Sequence, residues 1–362
     1  MHILAINPGG GSTRVAVFKD RKQVFSETIQ HTVADLARFR QVIDQYAMRR
    51  DAVLKTLKKH NFDTTKLNAI VTRGGPLLPM PSGVYRITNS VVYDIHRGRY
   101  QTMHPSLLGP LIAHELATQF SVPAWFVDPE STDEFRPEAR FTGIRGLSRR
   151  ALSHALSCRT VCEAAARKLR KPADKCRFVV AHLGTGITIA ARVNGRQVDA
   201  TNANDEGPFS PQRAGSLPSS ALVDLCFSGR HTRATILELT QRRGGLISHL
   251  GTDDIRKVEA LIEQGHQTAK MVFDAMIYQI AKEIGAYVVA CGDTPDAIVL
   301  TGGLTCSTRL VNQLKRWIAR LAPKIIVFPG EEEMTAMATR LLEVLEGREK
   351  EKDYDKETAL RR

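Results

Sequence analysis

The hydrophobic pattern at the start of the chain returns in its middle. An apolar run enters the glycine tract Gly9 to Gly11, and two more strand-like runs follow, separated by a polar turn. Further on, an apolar run meets Gly184 and Gly186, and the return run ends at the hairpin signal Asn194-Gly195 before a third run. The predicted strands are 2–7, 13–18 and 23–28 in the first copy and 178–183, 187–193 and 196–200 in the second. The sequence therefore predicts a duplicated unit of three strands.

Apolar residues at three- and four-residue steps predict helices between these strands. The strongest pattern is 268–291, where Val272, Met276, Ile280 and Ile284 lie on one stripe. Further helices are predicted at 35–60, 109–120, 147–169, 309–321 and 331–345, and further strands at 296–301 and 324–328. The closing stretch 348–362 has mixed charge and almost no apolar residues, so it predicts a frayed tail.

Alternating strands and helices around a duplicated hairpin unit are typical of an α/β fold with mixed sheets, here expected as two similar lobes with a cleft between them. The length of 362 residues, with 43% hydrophobic, also favours two domains over one. No apolar run approaches the roughly 18 residues that span a bilayer. We therefore expect a soluble, cytoplasmic protein with no membrane partner.

The chain is strongly basic, with 51 Lys and Arg against 38 Asp and Glu and a formal net charge of +13. This charge makes nucleic-acid binding, which would be tight and salt-sensitive, a hypothesis to consider. The basic residues are scattered, however, and no RNA-binding or helix-turn-helix signature accompanies them. We expect no nucleic-acid partner and interpret the positive field as suited to small anions such as nucleotides and carboxylates.

A glycine turn between two antiparallel strands lets the backbone approach a ligand, and its N–H groups can point at phosphate oxygens. One such turn is usually only a hairpin. Two turns at equivalent places in a duplicated unit are much harder to dismiss as hairpins.

Seven motifs, in order, resemble those of the acetate and butyrate kinase family, which belongs to the actin, heat-shock-70 and sugar-kinase superfamily. They are INPGGGSTRVAVF (6–18), VTRGGPL (71–77), FVDPEST (126–132), VAHLGTGITIAARVNGR (180–196), DEGPFSPQRAGSLP (205–218), LTGGL (300–304) and FPGEEEM (328–334). The likeness covers nearly the whole chain except its tail. Within the family, GPFSPQRAG and the short length resemble the butyrate branch more than the acetate branch.

The resemblance implies two similar ribonuclease-H-like (actin-like ATPase) domains, one formed by residues 1–130 plus 334–362 and the other by residues 131–333. It implies reversible transfer of a phosphoryl group from ATP to a short-chain carboxylic acid, giving ADP and an acyl phosphate, with Mg²⁺ required. The implied assembly is a homodimer or higher homo-oligomer.

A carboxylate is ionised at neutral pH, so it needs no general base to attack phosphorus. Two anions must nevertheless meet, which calls for cations and hydrogen-bond donors. Arginine suits this task because its planar fork binds carboxylate or phosphate with two bonds. The resemblance assigns Arg73 and Arg213 to this role and places His154 and His182 near the phosphoryl group, although each histidine could instead be a satisfied core residue.

The resemblance also implies a set of nucleotide and magnesium contacts. Asp128 would orient Asn7 or a metal-bound water. Glu332 matches the magnesium-associated glutamate, although the run 331–333 leaves the register open and acids at a helix N-terminus also stabilise the helix dipole. The implied phosphate and adenosine contacts are Asn7, Gly10, Ser12, Arg14, Gly184, Gly186, Gly302 and Gly303.

Two departures from the butyrate kinase pattern affect the expected acyl pocket. The stretch before Gly207 is one residue shorter, and Ser106 replaces an expected asparagine; residues 83–85 and 208–209 are the candidate pocket walls. Acetate or propionate therefore stay open as substrates. Two other classes of protein in the superfamily are alternatives. A sugar or polyol kinase would need a catalytic aspartate as base, whereas a carboxylate acceptor needs none. A nucleotide-gated binding module would need no pair of arginines.

Overall fold

The structure is a computed structural model that describes residues 1–330 and 332–359, in which strands and helices alternate. The strands are β1 His2–Pro8, β2 Ser12–Lys19, β3 Lys22–Gln30, β4 Leu67–Arg73, β5 Val84–Arg86, β6 Ala124–Val127, β7 Arg177–Leu183, β8 Ile187–Val193, β9 Arg196–Ala200, β10 Ala297–Gly302 and β11 Ile325–Pro329. The α-helices are α1 Val33–Leu36, α2 Tyr46–Lys59, α3 Asn89–His96, α4 Leu108–Phe120, α5 Ala155–Leu169, α6 Ser219–Phe227, α7 Arg233–Gln241, α8 Gly245–Leu250, α9 Ile255–Glu263, α10 Gln267–Ala290, α11 Thr308–Ile318, α12 Glu333–Leu345 and α13 Tyr354–Ala359.

The described residues form two compact units. The first lies within Met1–Asp133 and Glu332–Arg362, and the second lies within Glu134–Glu331. Compared with the expected boundaries, the second unit begins three residues later and ends two residues earlier. The C-terminal segment therefore belongs to the N-terminal unit.

The first unit contains a six-stranded mixed sheet in the order β3-β2-β1-β4-β6-β5. Strand β1 pairs antiparallel with β2, which places Asn7 opposite Arg14, and it pairs parallel with β4, which itself runs parallel to β6. Both faces of β1 are buried. Helices α2 and α4 cover one face, where Val53 and Leu116 join Leu4 in one apolar cluster, and α12 packs against β1, β4 and β6.

The second unit repeats this topology. Its five strands are ordered β11-β10-β7-β8-β9, with β7, β8 and β9 antiparallel and β10 and β11 parallel to β7. The order therefore corresponds strand for strand to β6-β4-β1-β2-β3 of the first unit, which adds only β5. The α/β class with two similar domains and mixed sheets, predicted from the internal repeat, is confirmed.

The predicted core helix is α10, and its stripe is buried as expected. Val272, Met276, Ile280 and Ile284 join the apolar cluster that lines one face of the second sheet. Helix α5 covers β7 and β10 with a separate cluster that includes Cys158 and Cys162. A 24-residue helix with an unbroken apolar stripe thus anchors this unit.

Two predicted helices are shorter than expected. The segment 35–60 divides because two capping boxes, Thr32 with Asp35 and Gln41 with Asp44, each start a new helical turn. The segment 147–169 becomes helical only at Ala155. Before that point Arg149 donates to the carbonyl oxygens of Ala139 and Ala200, which holds the chain outside a helix.

The prediction of a frayed tail was wrong for the part that the structure describes, 348–359. Tyr354 begins α13 and is 2% exposed; its ring lies edge-on to Phe126 and its hydroxyl donates to Asp94 Oδ2 at 3.0 Å. Glu349 pairs with Arg340 of α12, and the indole of Trp125 donates to Glu351 at 2.8 Å. One aromatic anchor and a few ion pairs therefore fix a segment that has almost no apolar residues.

Among the described residues, no helix combines the length and the apolar character needed to cross a bilayer.

Tyr354→Ala should lower the free energy of unfolding by about 3 to 5 kcal/mol, because it empties a buried aromatic site and removes the donor to Asp94. Tyr93→Ala is the matched control in the same unit, since Tyr93 is 49% exposed, and it should cost less than about 1 kcal/mol. Urea denaturation followed by circular dichroism measures both. Equal losses would show that the C-terminal segment does not dock as described.

Candidate functional site

Chemically versatile side chains gather where the parallel strands of the first sheet end. Asn7 lies near the end of β1, Arg73 ends β4, and Asp128 and Glu130 follow β6. Because β1, β4 and β6 are parallel neighbours, their carboxyl ends share one edge of the sheet. This edge is the usual place for ligands in open α/β sheets.

Arg73 and Asn7 are both bound by Glu333, the first residue of α12. Arg73 Nη1 donates to Glu333 Oε1 at 2.8 Å, and Asn7 Nδ2 donates to Glu333 Oε2 at 2.7 Å. The side chains of Arg73 and Glu333 are only 11% and 7% exposed. The amide nitrogen of Asn7 is therefore fixed by Glu333.

The structure places the expected metal-associated residue Glu332 and its neighbour Glu333 in different surroundings. Glu332 is exposed and stands at the N-cap of α12, whereas the next residue, Glu333, is buried and reaches Asn7 and Arg73. A helix turns about 100° per residue, so only one glutamate of the run can face the sheet edge. Glu331 lies outside the described residues.

A second carboxylate, Glu130, also contacts Arg73. Its Oε1 lies 2.7 Å from Arg73 Nη2, so the guanidinium is bound by Glu333 on one side and Glu130 on the other. Ser106 Oγ donates to Glu130 Oε2 at 3.1 Å, and His104 Nδ1 lies 2.6 Å from that hydroxyl. Sequence reasoning singled out Ser106 as a departure but gave Glu130 no role.

Both carboxylate oxygens of Asp128, which was expected to orient Asn7 or a metal-bound water, contact donors of the first unit. Asp128 accepts from Ser82 Oγ at 2.6 Å and from the Gly83 amide at 2.7 Å, and Arg340 Nε lies 3.3 Å from its other oxygen. Its backbone is left-handed, with φ of 36°. Glu333 accepts from Asn7, and Asp128 joins the chain after β6 to α12 through Arg340.

The first glycine turn is bound on its interior side by Arg49, a fully buried residue of α2. Arg49 donates to the carbonyl oxygens of Ser12 at 2.8 Å and Gly10 at 3.2 Å, and also to Thr13 and Gln45. Burial lowers the pKa of its guanidinium to about 10. With these carbonyls turned toward Arg49, the turn keeps a fixed shape between β1 and β2.

The other residues expected on this turn are half-buried or exposed. Gly10 is exposed, Ser12 begins β2, and Arg14 is half-buried. Arg14 is the register partner of Asn7, and side chains of directly opposed residues project from the same face of a sheet. Arg14 and Asn7 therefore share a face.

In the second unit the two candidate histidines stack. The rings of His154 and His182 have centroids 4.1 Å apart and planes inclined by only 14°. His182 comes from β7, whereas His154 immediately precedes α5 and its Nδ1 lies 2.8 Å from Thr188 Oγ1. Thr188 is the β8 register partner of His182, so one strand pair positions both rings.

Arg213 lies directly over the second glycine turn. An ideal Cβ placed on Gly186 would overlap the Arg213 guanidinium, so only glycine leaves room for that group there. Ser210 fastens the arginine loop to the same turn, because its Oγ donates to the Thr185 carbonyl at 2.5 Å and accepts from the Arg213 amide at 3.1 Å. The predicted neighbours Gly184, Gly186 and Arg213 thus form one cluster.

The third glycine pair is Gly302, which ends β10, and Gly303, which follows it. Gly302 has φ of 96° and packs so closely on the end of β7 that a Cβ would overlap the Leu183 carbonyl oxygen. Gly303 is exposed, and a Cβ there would meet nothing within 4 Å. Gly302 is required by backbone packing, while Gly303 is open to a ligand.

The candidate acyl-pocket walls lie in the cores of their units. Tyr85 is fully buried, stacks on Phe126 at 5.1 Å and donates to the Pro81 carbonyl, while Val84 is equally buried. Phe209 belongs to the α10 cluster. These side chains pack within their units, and their role as pocket walls stays a prediction.

The donor sets fit the cofactors that the resemblance implies. The backbone of the Gly186 turn lies beside the cationic Arg213, and this pairing suits a polyphosphate. Asn7 and Glu333 supply amide and carboxylate oxygens, which are the ligands that Mg²⁺ prefers beside water and phosphate.

Comparison with known proteins points to one family. Residues 142–321, just under half of the chain, match the family model of the acetokinase family. This stretch is therefore similar to the acetokinase family. It contains both histidines, the second glycine turn and Arg213.

Three solved structures share the fold over both units. Acetate kinase from Porphyromonas gingivalis is 18% identical, with 94% of this chain and 98% of that chain covered and a TM-score of 0.76. Propionate kinase from Francisella tularensis subsp. tularensis SCHU S4 has the same identity and coverages, with a TM-score of 0.72. Acetate kinase from Entamoeba histolytica is 14% identical over 93% of this chain and 97% of that chain, with a TM-score of 0.73.

Arg49→Met should lower the free energy of unfolding by about 2 to 4 kcal/mol, because it leaves several buried acceptors around the first glycine turn without their donor. Amide hydrogen exchange in Gly10 and Ser12 should accelerate. The adjacent Arg50→Met is the control, since Arg50 pairs with Asp51 and Glu115 near the surface and should change stability far less. Indistinguishable urea unfolding curves for the two variants would contradict the assigned role of Arg49.

Proposed function

We propose that this chain is a carboxylate kinase that transfers the γ-phosphoryl group of ATP to a short-chain carboxylic acid, reversibly and with Mg²⁺. A carboxylate oxygen of the acid attacks the γ-phosphorus, the bond to the β,γ-bridging oxygen breaks, and ADP and an acyl phosphate are formed. The observation that carries this proposal is that each unit of the duplicated fold places one motif arginine beside a candidate ligand-binding element. Arg73 ends β4 in the first unit, and Arg213 lies over the glycine turn of the second.

Arg73 is suited to bind the acid. Its guanidinium is nearly buried, and Glu333 fixes one edge of its planar fork, so its orientation is set before a ligand arrives. A charge-assisted bond from such a preorganised donor is roughly twice as strong as a neutral one. The acid would therefore be held with its carboxylate directed by Arg73.

Arg213 and the stacked histidines are suited to the transferring phosphoryl group. Negative charge spreads over the equatorial oxygens during transfer, and fixed donors stabilise it without reorganisation. Arg213 is held at the Gly186 turn, and Thr188 positions His154 against His182. Bound Mg²⁺ would neutralise negative charge on the phosphates.

The arrangement supports an acid acceptor over a sugar hydroxyl. A hydroxyl nucleophile needs a carboxylate base, but Asp128, Glu130 and Glu333 each contact an arginine. Their oxygens therefore act as acceptors for cations. A nucleotide-gated binding module without catalysis would need no such arginine pair.

We further propose that a butyrate-sized acid is preferred over acetate. The support is the motif GPFSPQRAG at 207–215, which resembles butyrate kinases. Acetate and propionate are the competing substrates, since the solved structures with this fold include an acetate kinase and a propionate kinase.

The function is tested by incubating the purified protein with ATP, Mg²⁺ and hydroxylamine, which traps an acyl phosphate as a hydroxamate. Acetate, propionate, butyrate, isobutyrate and valerate are compared, with glycerol as the hydroxyl acceptor. We expect hydroxamate with the acids, most from butyrate, and no ATP consumption with glycerol. Preference for acetate or propionate would remove the butyrate assignment, and turnover of glycerol alone would remove the carboxylate kinase.

Gly186→Ala should lower kcat by at least about 100-fold with little change in stability. The new methyl group would occupy the position of the Arg213 guanidinium, and a flexible side chain can move aside without unfolding the unit. Gly285→Ala is the control in the same unit, since the nearest side-chain atom is 3.9 Å from its Cβ and its activity should be unchanged. Normal turnover by Gly186→Ala would exclude Arg213 from the transferring group at this position.

A further inference from the structure

The guanidinium that would bind the substrate acid already holds a carboxylate of this chain. Glu130 Oε1 lies 2.7 Å from Arg73 Nη2, on the edge of the fork that Glu333 does not occupy. That edge presents the charge and the donors that an incoming carboxylate needs. Glu130 therefore has the chemistry of the substrate's reacting group and the position that this group would take.

The charges at this point do not favour a third carboxylate. One guanidinium faces Glu130 and Glu333, and the side chains of both glutamates are mostly buried, at 17% and 7% exposed. A further anion beside both would be repelled in a region that water screens poorly. Glu333 also accepts from Asn7, so its displacement would disturb two partners, whereas Glu130 can move while the bond between Asn7 and Glu333 stays intact.

Glu130 has a second set of contacts that does not involve Arg73. Ser106 Oγ donates to its other oxygen at 3.1 Å, and His104 Nδ1 lies 3.8 Å from that oxygen. A rotation of the Glu130 side chain toward Ser106 and His104 would open Nη2 to a ligand and keep the glutamate hydrogen-bonded. The same position 106 departs from the expected asparagine.

Resting on the proposed carboxylate kinase activity, we propose that Glu130 is an internal competitor that occupies the acid subsite of Arg73 and must move before the substrate acid binds. Glu130 thereby sets the affinity for the acid without taking part in phosphoryl transfer. The binding of ATP is unaffected, because Glu130 belongs to the acid side of the cluster.

The test compares Glu130→Gln with the unaltered protein. Glutamine keeps the shape of the side chain but replaces a charge-assisted bond to Arg73 by a weaker neutral one. The KM for butyrate should fall about tenfold, with kcat and the KM for ATP within twofold. Calorimetric titration with butyrate in the absence of ATP should show a similar decrease in Kd.

Two further variants sharpen the comparison. Glu130→Ala removes the side chain altogether and should also lower the KM for butyrate, which protects the test against a folding defect peculiar to glutamine. Glu138→Gln removes one negative charge at an exposed residue and should leave every constant unchanged. Thermal unfolding checks that each variant is folded.

The outcomes separate this inference from the proposed function. If acyl phosphate forms and the KM for butyrate is unchanged or raised in both Glu130 variants, the internal competitor is excluded and the kinase stands. A raised KM with a reduced kcat would instead make Glu130 a productive substrate contact. If no acid yields acyl phosphate but Glu130→Gln binds butyrate more tightly, the kinase fails while the competition at Arg73 stands.

Discussion

The carboxylate of Glu333 is the contact on which the candidate site of the first unit depends. It binds Arg73 and Asn7, which end two neighbouring parallel strands, and it does so from the first turn of α12. A helix N-terminus favours a negative charge, so the same residue stabilises its helix and orients the cation. Removing Glu333 would break its hydrogen bonds to Asn7 and Arg73 at once. A carboxylate on a loop would position these two side chains less firmly than one on a helix.

The two units share one strand topology but differ in the side chains that contact their glycine turns. In each, a glycine turn joins the first two strands of the repeat, and an arginine lies near a ligand-facing edge. Arg49 fixes the first turn through carbonyl oxygens from below, while Arg213 lies over the second turn and needs Gly186 to fit. The strand order is therefore the same in the two units, whereas the side chains around their glycine turns differ.

The fold could be predicted because its signals are local: glycine turns, the Asn194-Gly195 hairpin and the stripe of α10 all act within a few residues. The pairs at the site depend instead on which distant strands become neighbours, as with Arg73 and Glu333, 260 positions apart. No local pattern selects Glu333 from a run of glutamates or joins Glu130 to Arg73. Arg49 was detectable, since it shares the buried stripe of Val53 and Leu57 at four-residue steps.

An arginine that must recognise a carboxylate cannot wait unpaired in a nearly buried place, because an uncompensated buried charge is strongly destabilising. Glu333 alone would balance its charge but occupies one edge of the fork. Glu130 contacts the other, so the folded chain satisfies the guanidinium with the same functional group that the proposed substrate carries. Under the proposed function, affinity for the acid would depend on the difference between two similar bonds, and the hydroxyl of Ser106, which would hold the displaced glutamate, would take part in substrate selection.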